Sequence, residues 1–410
     1  MRYRTWNLKW FNTLLRWFYG LYLKLHYSMK ARGTDILPKS KPYIIIANHV
    51  SVFDPFWISA FTGRPVYWVT SDGNMHSLIL RLLLKLVGSI PKSKAISDIV
   101  TVNMIMDVLR KRKGVVGVFA EGQATWDGTT QPFIESTAKL LKLFKGTVIG
   151  VKIKGGYASR PRWSWNDRRG QIELEFFKLY DGPELKTKTP ETIYTEIQDA
   201  LAHNECAWIE KTGTRFVSKK RAEHLELAIF VCPNCTHDTS MRSEGNLIYC
   251  SACGASWRIT SRYQLEGINS TLPEIFQRTN LSFHQILEER YKQYSTQHMA
   301  LLSDAVTVFR GKRLRQFDNL GRGLAELHPD TISIHIDLQS NKQIPSRLFH
   351  ESTFVIDFPL SQLEGLSVLK QQYFEFYYQG TMFRFKFPHR YQSGLRWYWA
   401  ISYCQKKYKV

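Results

Sequence analysis

Between residues 6 and 27, apolar side chains return every three or four positions: Trp10, Leu14, Phe18, Leu21 and Leu25. This spacing predicts an amphipathic helix over Trp6–Tyr27, with Arg4, Lys9, Arg16, Lys24 and Lys30 around the stripe. Such a helix either lies in a lipid headgroup boundary or packs its stripe on a core. From Tyr43 to Gly182 short apolar runs alternate with helical periods. "YIIIA", "RPVYWVT", "VVGVFAEG", "TVIGVKI" and "QIELEFF" read as strands. "DPFWISAFTG", "SLILRLLLKLVG", "DIVTVNMIMDVLRKR" and "STAKLLKLFKG" read as helices. The alternation predicts an α/β domain with a mixed, largely parallel sheet. Helical patterns return at about Pro190–Leu227 and Pro273–Gln297. From Ala305 onward the period is two: seven short strands separated by turn residues, then one helix in "RYQSGLRWYWAISYCQKK". A C-terminal β-barrel or sandwich with a capping helix is expected there. The expected domains are a membrane-associating helix (1–30), the α/β domain (31–190), a helical linker (191–229), a cysteine module (230–263), a second linker (264–304) and the β domain (305–410).

Composition narrows the class of partner. The chain of 410 residues carries a formal charge of +21, which implies an anionic partner: nucleic acid, anionic lipid or a phosphorylated substrate. No run of about 18 apolar residues lacks a charge, so a spanning helix is not expected. No small-residue cleavage site follows the first apolar region, so a cleavable signal is not expected either. Four of the six cysteines fall in one window, Cys232, Cys235, Cys250 and Cys253. The pattern C-x2-C-x14-C-x2-C is close to that of a closed four-thiolate zinc site, and it predicts a small zinc ribbon with structural zinc. Reduced core cysteines and a redox dithiol are weaker readings, because both pairs keep the same regular spacing.

Candidate chemistry centres on "IIIANHVSVFD" (44–54). An isoleucine run buried on both faces should place Asn48 and His49 just past the C-terminal end of a strand, where open α/β sheets bind ligands. Asp54, followed by Pro55, suits the start of a helix and could be only an N-cap. Paired with His49, it would fix the imidazole tautomer and leave the other nitrogen as a general base. No serine elbow accompanies the pair. A base without its own nucleophile suits deprotonation of a substrate hydroxyl.

"NHVSVFD" resembles the N-H-x4-D motif of the glycerophospholipid acyltransferase family, which includes lysophosphatidic acid acyltransferases. Three further blocks resemble that family in order: "VGSIPKSK" (87–94), "VFAEGQATWDG" (118–128) and "GTVIGV" (146–151). The resemblance covers about residues 30–185. It implies that His49 is the base and Asp54 orients it. Asn48, Lys92, Glu121 and Gly122 would shape or bind the acceptor. The acyl donor would be acyl-CoA or acyl-carrier protein, the acceptor a lysophospholipid such as 1-acyl-glycerol-3-phosphate, and no catalytic metal would be needed. Three positions depart from the third and fourth blocks: Ala120 replaces a proline, Ala124 the third-block arginine and Gly150 a proline; downstream of the third block, Ser136 takes the place of a glycine. Without a cation at 124, an acceptor phosphate would rely on Lys92, Lys139, Arg160 or Arg162. "SRPRW" (159–163) reads as a phosphate-facing loop or, in preference, as a solvated basic turn.

The seven strands and closing helix resemble the pleckstrin-homology or GRAM fold. In that resemblance Arg310, Lys312, Arg313, Arg315 and Arg322 line a hairpin that meets lipid headgroups, with a solvated hairpin as the alternative. These readings favour a peripheral or monotopic enzyme on the cytoplasmic face of an anionic membrane. A protein partner would dock through the zinc ribbon or the β domain. Two rivals remain at this stage: a noncatalytic lipid-binding scaffold, and a zinc-ribbon nucleic-acid binder, the latter without a recognition motif.

Overall fold

The computed structural model describes residues 9–93, 99–311, 316–337, 353–369 and 371–407, and counts of elements refer to these. The described residues divide into two compact units, one within 9–221 plus 260–264 and the other within 222–259 plus 265–407.

The first unit begins with α1 (Lys9–His26) and the short strand β1 (Lys30–Arg32). Then follow β2 (Tyr43–Ala47), α2 (Asp54–Ser59), β3 (Val66–Ser71), α3 (Leu78–Leu86), β4 (Ile90–Lys92), α4 (Ile99–Met106) and β5 (Val115–Phe119). α5 (Ser136–Phe144), β6 (Thr147–Lys154), α6 (Gly156–Ser159), β7 (Glu173–Tyr180), α7 (Gly182–Thr187), α8 (Pro190–Leu201) and α9 (Glu205–Thr212) complete it. Seven strands form one sheet in the order β1-β7-β6-β2-β5-β3-β4. β6 and β7 run antiparallel and the other neighbours parallel, so the sheet is mixed and largely parallel, as the alternation predicts. β2 lies at its centre, and all five residues of "YIIIA" are fully buried, because parallel strands are covered on both faces. One face is covered by a core joining Ile44, Ile46, Val116 and Val118 to Leu140 and Leu141 of α5. Ile193, Ile197 and Leu201 of α8 enter the same core, so this helix packs on the sheet rather than bridging to another module. Gly150 pairs with Ile46 on one side and Phe177 on the other. A Cβ there would come within 2.5 Å of the Phe177 ring. The missing proline of the fourth block is thus matched by an aromatic ring lying over the strand.

α1 turns Leu23 and Tyr27 inward, with Gly20 close against Ala60. The stripe Trp10, Leu14, Phe18, Leu21 and Leu25 is exposed, together with Trp17 and Tyr22. The periodicity therefore identified an apolar face, but not one that packs on a core. No helix among the described residues is long and apolar enough to cross a membrane.

The second unit holds a five-stranded sheet, β8 (Met241–Glu244), β9 (Leu247–Cys250), β10 (Ser256–Ile259), β11 (Gln264–Glu266) and β12 (Ser270–Thr271), followed by α10 (Leu272–Gln297). β13 (Leu302–Gly311), β14 (Asp318–Leu327), β15 (Thr331–Asp337), β16 (Thr353–Pro359), β17 (Leu363–Leu369), β18 (Tyr373–Tyr378) and β19 (Thr381–Lys386) then build an antiparallel sheet. Its order is β16-β15-β14-β13-β19-β18-β17, and α11 (Gly394–Lys407) packs against β17 and β18. Phe358, Phe374, Phe376, Phe385 and Trp397 fill its core. Arg396, buried on α11, donates to Asp238 of the cysteine module and to Asp304 of β13. Arg290 of α10 also reaches Asp238, at 3.0 Å. Of the basic hairpin, Arg310 and Arg322 lie on β13 and β14. Lys312, Arg313 and Arg315 lie outside the described residues, as do Arg4 and Trp6.

Candidate active site and candidate metal centre

β2 ends at Ala47, and the chain turns sharply through residues 48–53 into α2. Within that turn His49 Nδ1 lies 2.7 Å from Asp54 Oδ2. The same oxygen accepts the amides of Val50 at 2.7 Å and Ser51 at 3.0 Å. Asp54 does not cap the helix. It is the first helical residue, and its carboxylate turns back toward the histidine. The Asp54 side chain is fully buried, whereas 19% of His49 is exposed. Burial raises the Asp54 pKa, against the pull of His49 and the two amides. With Nδ1 committed to Asp54, Nε2 is the nitrogen left for a substrate.

Three long-range contacts hold this turn. Asn48 Oδ1 accepts the amide of Ile153 at 2.8 Å, and its Nδ2 donates to the Ile153 carbonyl at 3.0 Å. Both halves of the Asn48 amide thus tie the end of β2 to β6. Glu121 accepts the His49 amide at 2.6 Å and the Gln131 amide at 2.8 Å, one on each oxygen. Burial pushes Glu121 up to about 8, despite these two amides. The Thr125 amide donates to the His49 carbonyl at 2.9 Å. Gly122 follows Glu121 at φ +72°, a left-handed turn that a residue with a Cβ rarely adopts.

The imidazole stacks on Phe119 at 4.3 Å between centroids, and Phe119 stacks on Trp68 at 4.9 Å. Trp68 Nε1 donates to Ser59 Oγ, so the stack is anchored to α2. Trp68, Thr125 and Gln131 are site residues that sequence reasoning missed. A tryptophan on a buried strand carries no local mark of what lies over it.

Lys92 ends β4 in register with Ser71 of β3. β4 is three strands from β2, so at about 4.8 Å per strand its backbone stands about 14 Å to the side of β2. Glu121 is bonded to the His49 amide, with Gly122 next to it in the chain. "SRPRW" is not a solvated turn: Ser159, Pro161 and Trp163 are buried, and Arg160 and Arg162 are half-buried. Arg160 pairs with Asp167 and lies 4.2 Å over the Phe53 ring. Arg162 Nη1 donates to the Ala124 carbonyl at 2.6 Å, and its guanidinium lies 4.5 Å over Trp126.

In the second unit the sulfurs of Cys232, Cys235, Cys250 and Cys253 lie within 4.8 Å of one another. Cys232 and Cys253 are 3.8 Å apart, as are Cys235 and Cys250. A tetrahedron of thiolates with metal–sulfur bonds of about 2.3 Å has edges of about 3.8 Å, so the set fits a metal ion. The amides of Asn234 and Cys235 point at Cys232 Sγ, and that of Ala252 at Cys250 Sγ, which favours anionic sulfur. His237 turns its Nδ1 to the Asp238 carbonyl and is not part of the cluster. The two pairs, brought together by the β8–β9 hairpin and its flanking turns, could hold a structural metal.

Residues 28–154 match the family model described as Acyltransferase. Among solved structures, the chain is similar to the 1-acyl-sn-glycerophosphate (LPA) acyltransferase, PlsC, from Thermotoga maritima, at 16% identity and a TM-score of 0.42. That similarity covers 51% of this chain and 83% of the other. No curated protein matches. The segment of the first unit that matches the Acyltransferase family model spans the His49–Asp54 turn, Lys92 and Glu121.

Proposed function

We propose that this chain is an O-acyltransferase at a membrane surface. It would transfer an acyl group from acyl-CoA or acyl-carrier protein to the hydroxyl of a lysophospholipid such as 1-acyl-glycerol-3-phosphate. The observation that carries this reading is the His49–Asp54 contact of 2.7 Å, with the carboxylate buried and the imidazole partly open. His49 Nε2 takes the proton of the acceptor hydroxyl as its oxygen attacks the thioester carbonyl. Asp54, beside Nδ1–H, stabilises the imidazolium that forms. The tetrahedral intermediate collapses, the carbon–sulfur bond breaks, and the imidazolium returns its proton to the thiolate. Phe119 and Trp68 hold the ring in plane. Asn48 and Glu121 act by fixing the backbone that carries it, because their polar atoms are bonded to Ile153, His49 and Gln131.

Attachment to an anionic membrane from the cytoplasmic side is supported by the charge of +21 and by the exposed apolar face of α1. α3 adds a second exposed apolar face, with Leu78, Ile79, Leu82 and Leu83. Aromatic and aliphatic residues bordered by Lys and Arg suit a helix lying in the headgroup region. The four cysteines would bind zinc as a closed ribbon, and the C-terminal sheet with α11 would act as a pleckstrin-homology or GRAM-like module. The ribbon and this module are the sites proposed for a protein partner.

The test is a panel of lysolipid acceptors offered with acyl-CoA and with acyl-carrier protein, read by mass spectrometry of the products. Transfer that disappears in His49→Ala is expected. A chain that binds lysolipid vesicles but transfers to no acceptor would instead be a scaffold.

A further inference from the structure

We propose that Trp68 and Ser59 are positioning residues for the base, closing a circuit through α2 that fixes the His49 imidazole about two axes at once. This role rests on the acyl-transfer reading and extends it to residues that hold the base through Phe119. α2 is one short helix, Asp54–Ser59. At its first residue, Asp54 Oδ2 lies 2.7 Å from His49 Nδ1. At its last residue, Ser59 Oγ accepts the Trp68 Nε1 proton at 3.0 Å. The indole stacks on Phe119, 4.9 Å between centroids and 10° from parallel. Phe119 stacks on the imidazole, 4.3 Å away and 19° from parallel. The path from His49 through Asp54, α2, Ser59, Trp68 and Phe119 therefore returns to His49. The carboxylate fixes rotation of the imidazole within its own plane, and the stack fixes the tilt of that plane. At 1.5 Å per residue α2 is about 9 Å long, so one short strut sets the spacing of both constraints.

The strands are shaped for this circuit. Trp68 on β3 is in register with Gly117 on β5, and Phe119 lies two residues further on the same face. A Cβ at Gly117 would come within 2.3 Å of the indole. The bare backbone there lets Trp68 lean across β5 onto Phe119. Ala47 is in register with Phe119, and His49 follows two residues later, which brings its ring to the other side of the same aromatic.

The energetics favour the same roles. Trp68 is buried, so its indole N–H needs a partner, and the partner comes from the helix that carries Asp54. When the imidazole takes the proton of the acceptor hydroxyl, its charge lies against the π face of Phe119, which favours a cation. A small tilt of the base away from the line of attack is costly in rate, while the acceptor can still bind.

The test compares Ser59→Ala, Trp68→Phe, their double variant and Trp68→Leu in the full-length chain, by steady-state kinetics with 1-acyl-glycerol-3-phosphate and acyl-CoA. Ser59→Ala and Trp68→Phe break the same hydrogen bond, and each should lower kcat about 2- to 10-fold. Both KM values should stay within about twofold. The double variant should be no slower than the slower single one. Trp68→Leu, which also removes the stack, should lower kcat about 10- to 100-fold, and Trp68→Phe is its conservative rescue. NMR of histidine-labelled protein reads the geometry without turnover. The His49 ring protons, assigned by their loss in His49→Ala, lie in the ring current of Phe119. Ser59→Ala should shift them, and Trp68→Leu should shift them further. Unmoved His49 signals, or an unchanged kcat in Ser59→Ala, would overturn the proposal. If Trp68→Leu does not fold, Ser59→Ala, which deletes a single oxygen, decides the matter. If the wild-type chain transfers no acyl group while the His49 signals move as expected, acyl transfer is the reading that fails and the circuit stands.

Discussion

Replacing Asp54 with asparagine separates catalysis from stability in a way that tests the proposed mechanism directly. The new side chain could still accept the Val50 and Ser51 amides through its carbonyl oxygen. Toward His49, however, it either presents an amide N–H or offers an uncharged oxygen. In the first case Nδ1 becomes the acceptor, the proton sits on Nε2, and the nitrogen facing the substrate can no longer act as a base. In the second, the imidazolium formed during attack loses its counter-charge. At 2.7 Å, the attraction between unit charges at an effective dielectric of about 20 is about 6 kcal/mol. At 1.36 kcal/mol per tenfold, this corresponds to a ceiling of about four orders of magnitude in rate. General-base contributions of about 10²- to 10⁴-fold lie within that ceiling. The expected fall in kcat is therefore about 10³-fold, with the acceptor KM little changed, because Asp54 does not touch the acceptor. Stability should move the other way or not at all. The carboxylate is fully buried, and burial already disfavours its charge, so the neutral amide removes a desolvation cost. Steady-state kinetics with the best acceptor, beside thermal unfolding of both proteins, provides the measurement. A variant that is as stable as wild type and retains more than about a tenth of kcat would refute the role given to Asp54.

Other expected outcomes follow from the same geometry. Glu121, held near 8 in the folded chain against about 4.5 unfolded, binds its proton more tightly when folded. Its stabilising contribution is complete below about pH 4.5 and is lost as pH rises through about 8, by up to about 5 kcal/mol. Denaturant midpoints measured from about pH 5 to 9 should fall for wild type relative to Glu121→Gln, whose amide stays uncharged, as pH rises, and parallel curves would count against this account. Trp17 and Phe18 are 76% and 74% exposed. Burying each in a headgroup layer would contribute about 1.5–3 kcal/mol, so Trp17→Glu with Phe18→Glu should weaken vesicle co-flotation at least about 100-fold without unfolding the chain. One zinc per chain is expected by elemental analysis, and a chelator should strip exchange protection from 230–259. Because Asp238 leaves the cysteine module to hold Arg396, protection in α11 should fall with it. Unchanged protection there would show that the metal does not support the β domain.

The local sequence determined what depends on neighbours a few residues apart. Burial of β2 followed from an uninterrupted isoleucine run, and the β/α alternation from periods of about 2 and 3.6. The His49–Asp54 contact needs only one turn to close, and each cysteine pair needs only a knuckle, so spacing alone made both legible. Tertiary structure decided everything whose partner lies far along the chain. Asn48 meets Ile153 across 105 residues, Glu121 meets His49 across 72, and Arg396 meets Asp238 across 158. Arg162 reaches Ala124 only because β6 returns beside β2 and the following turn is pinned by Glu205 and Tyr157. The apolar stripe of α1 was legible as a stripe, but whether it faced protein or solvent was not. Periodicity records which side chains share a face, whereas packing of the whole chain decides what that face meets.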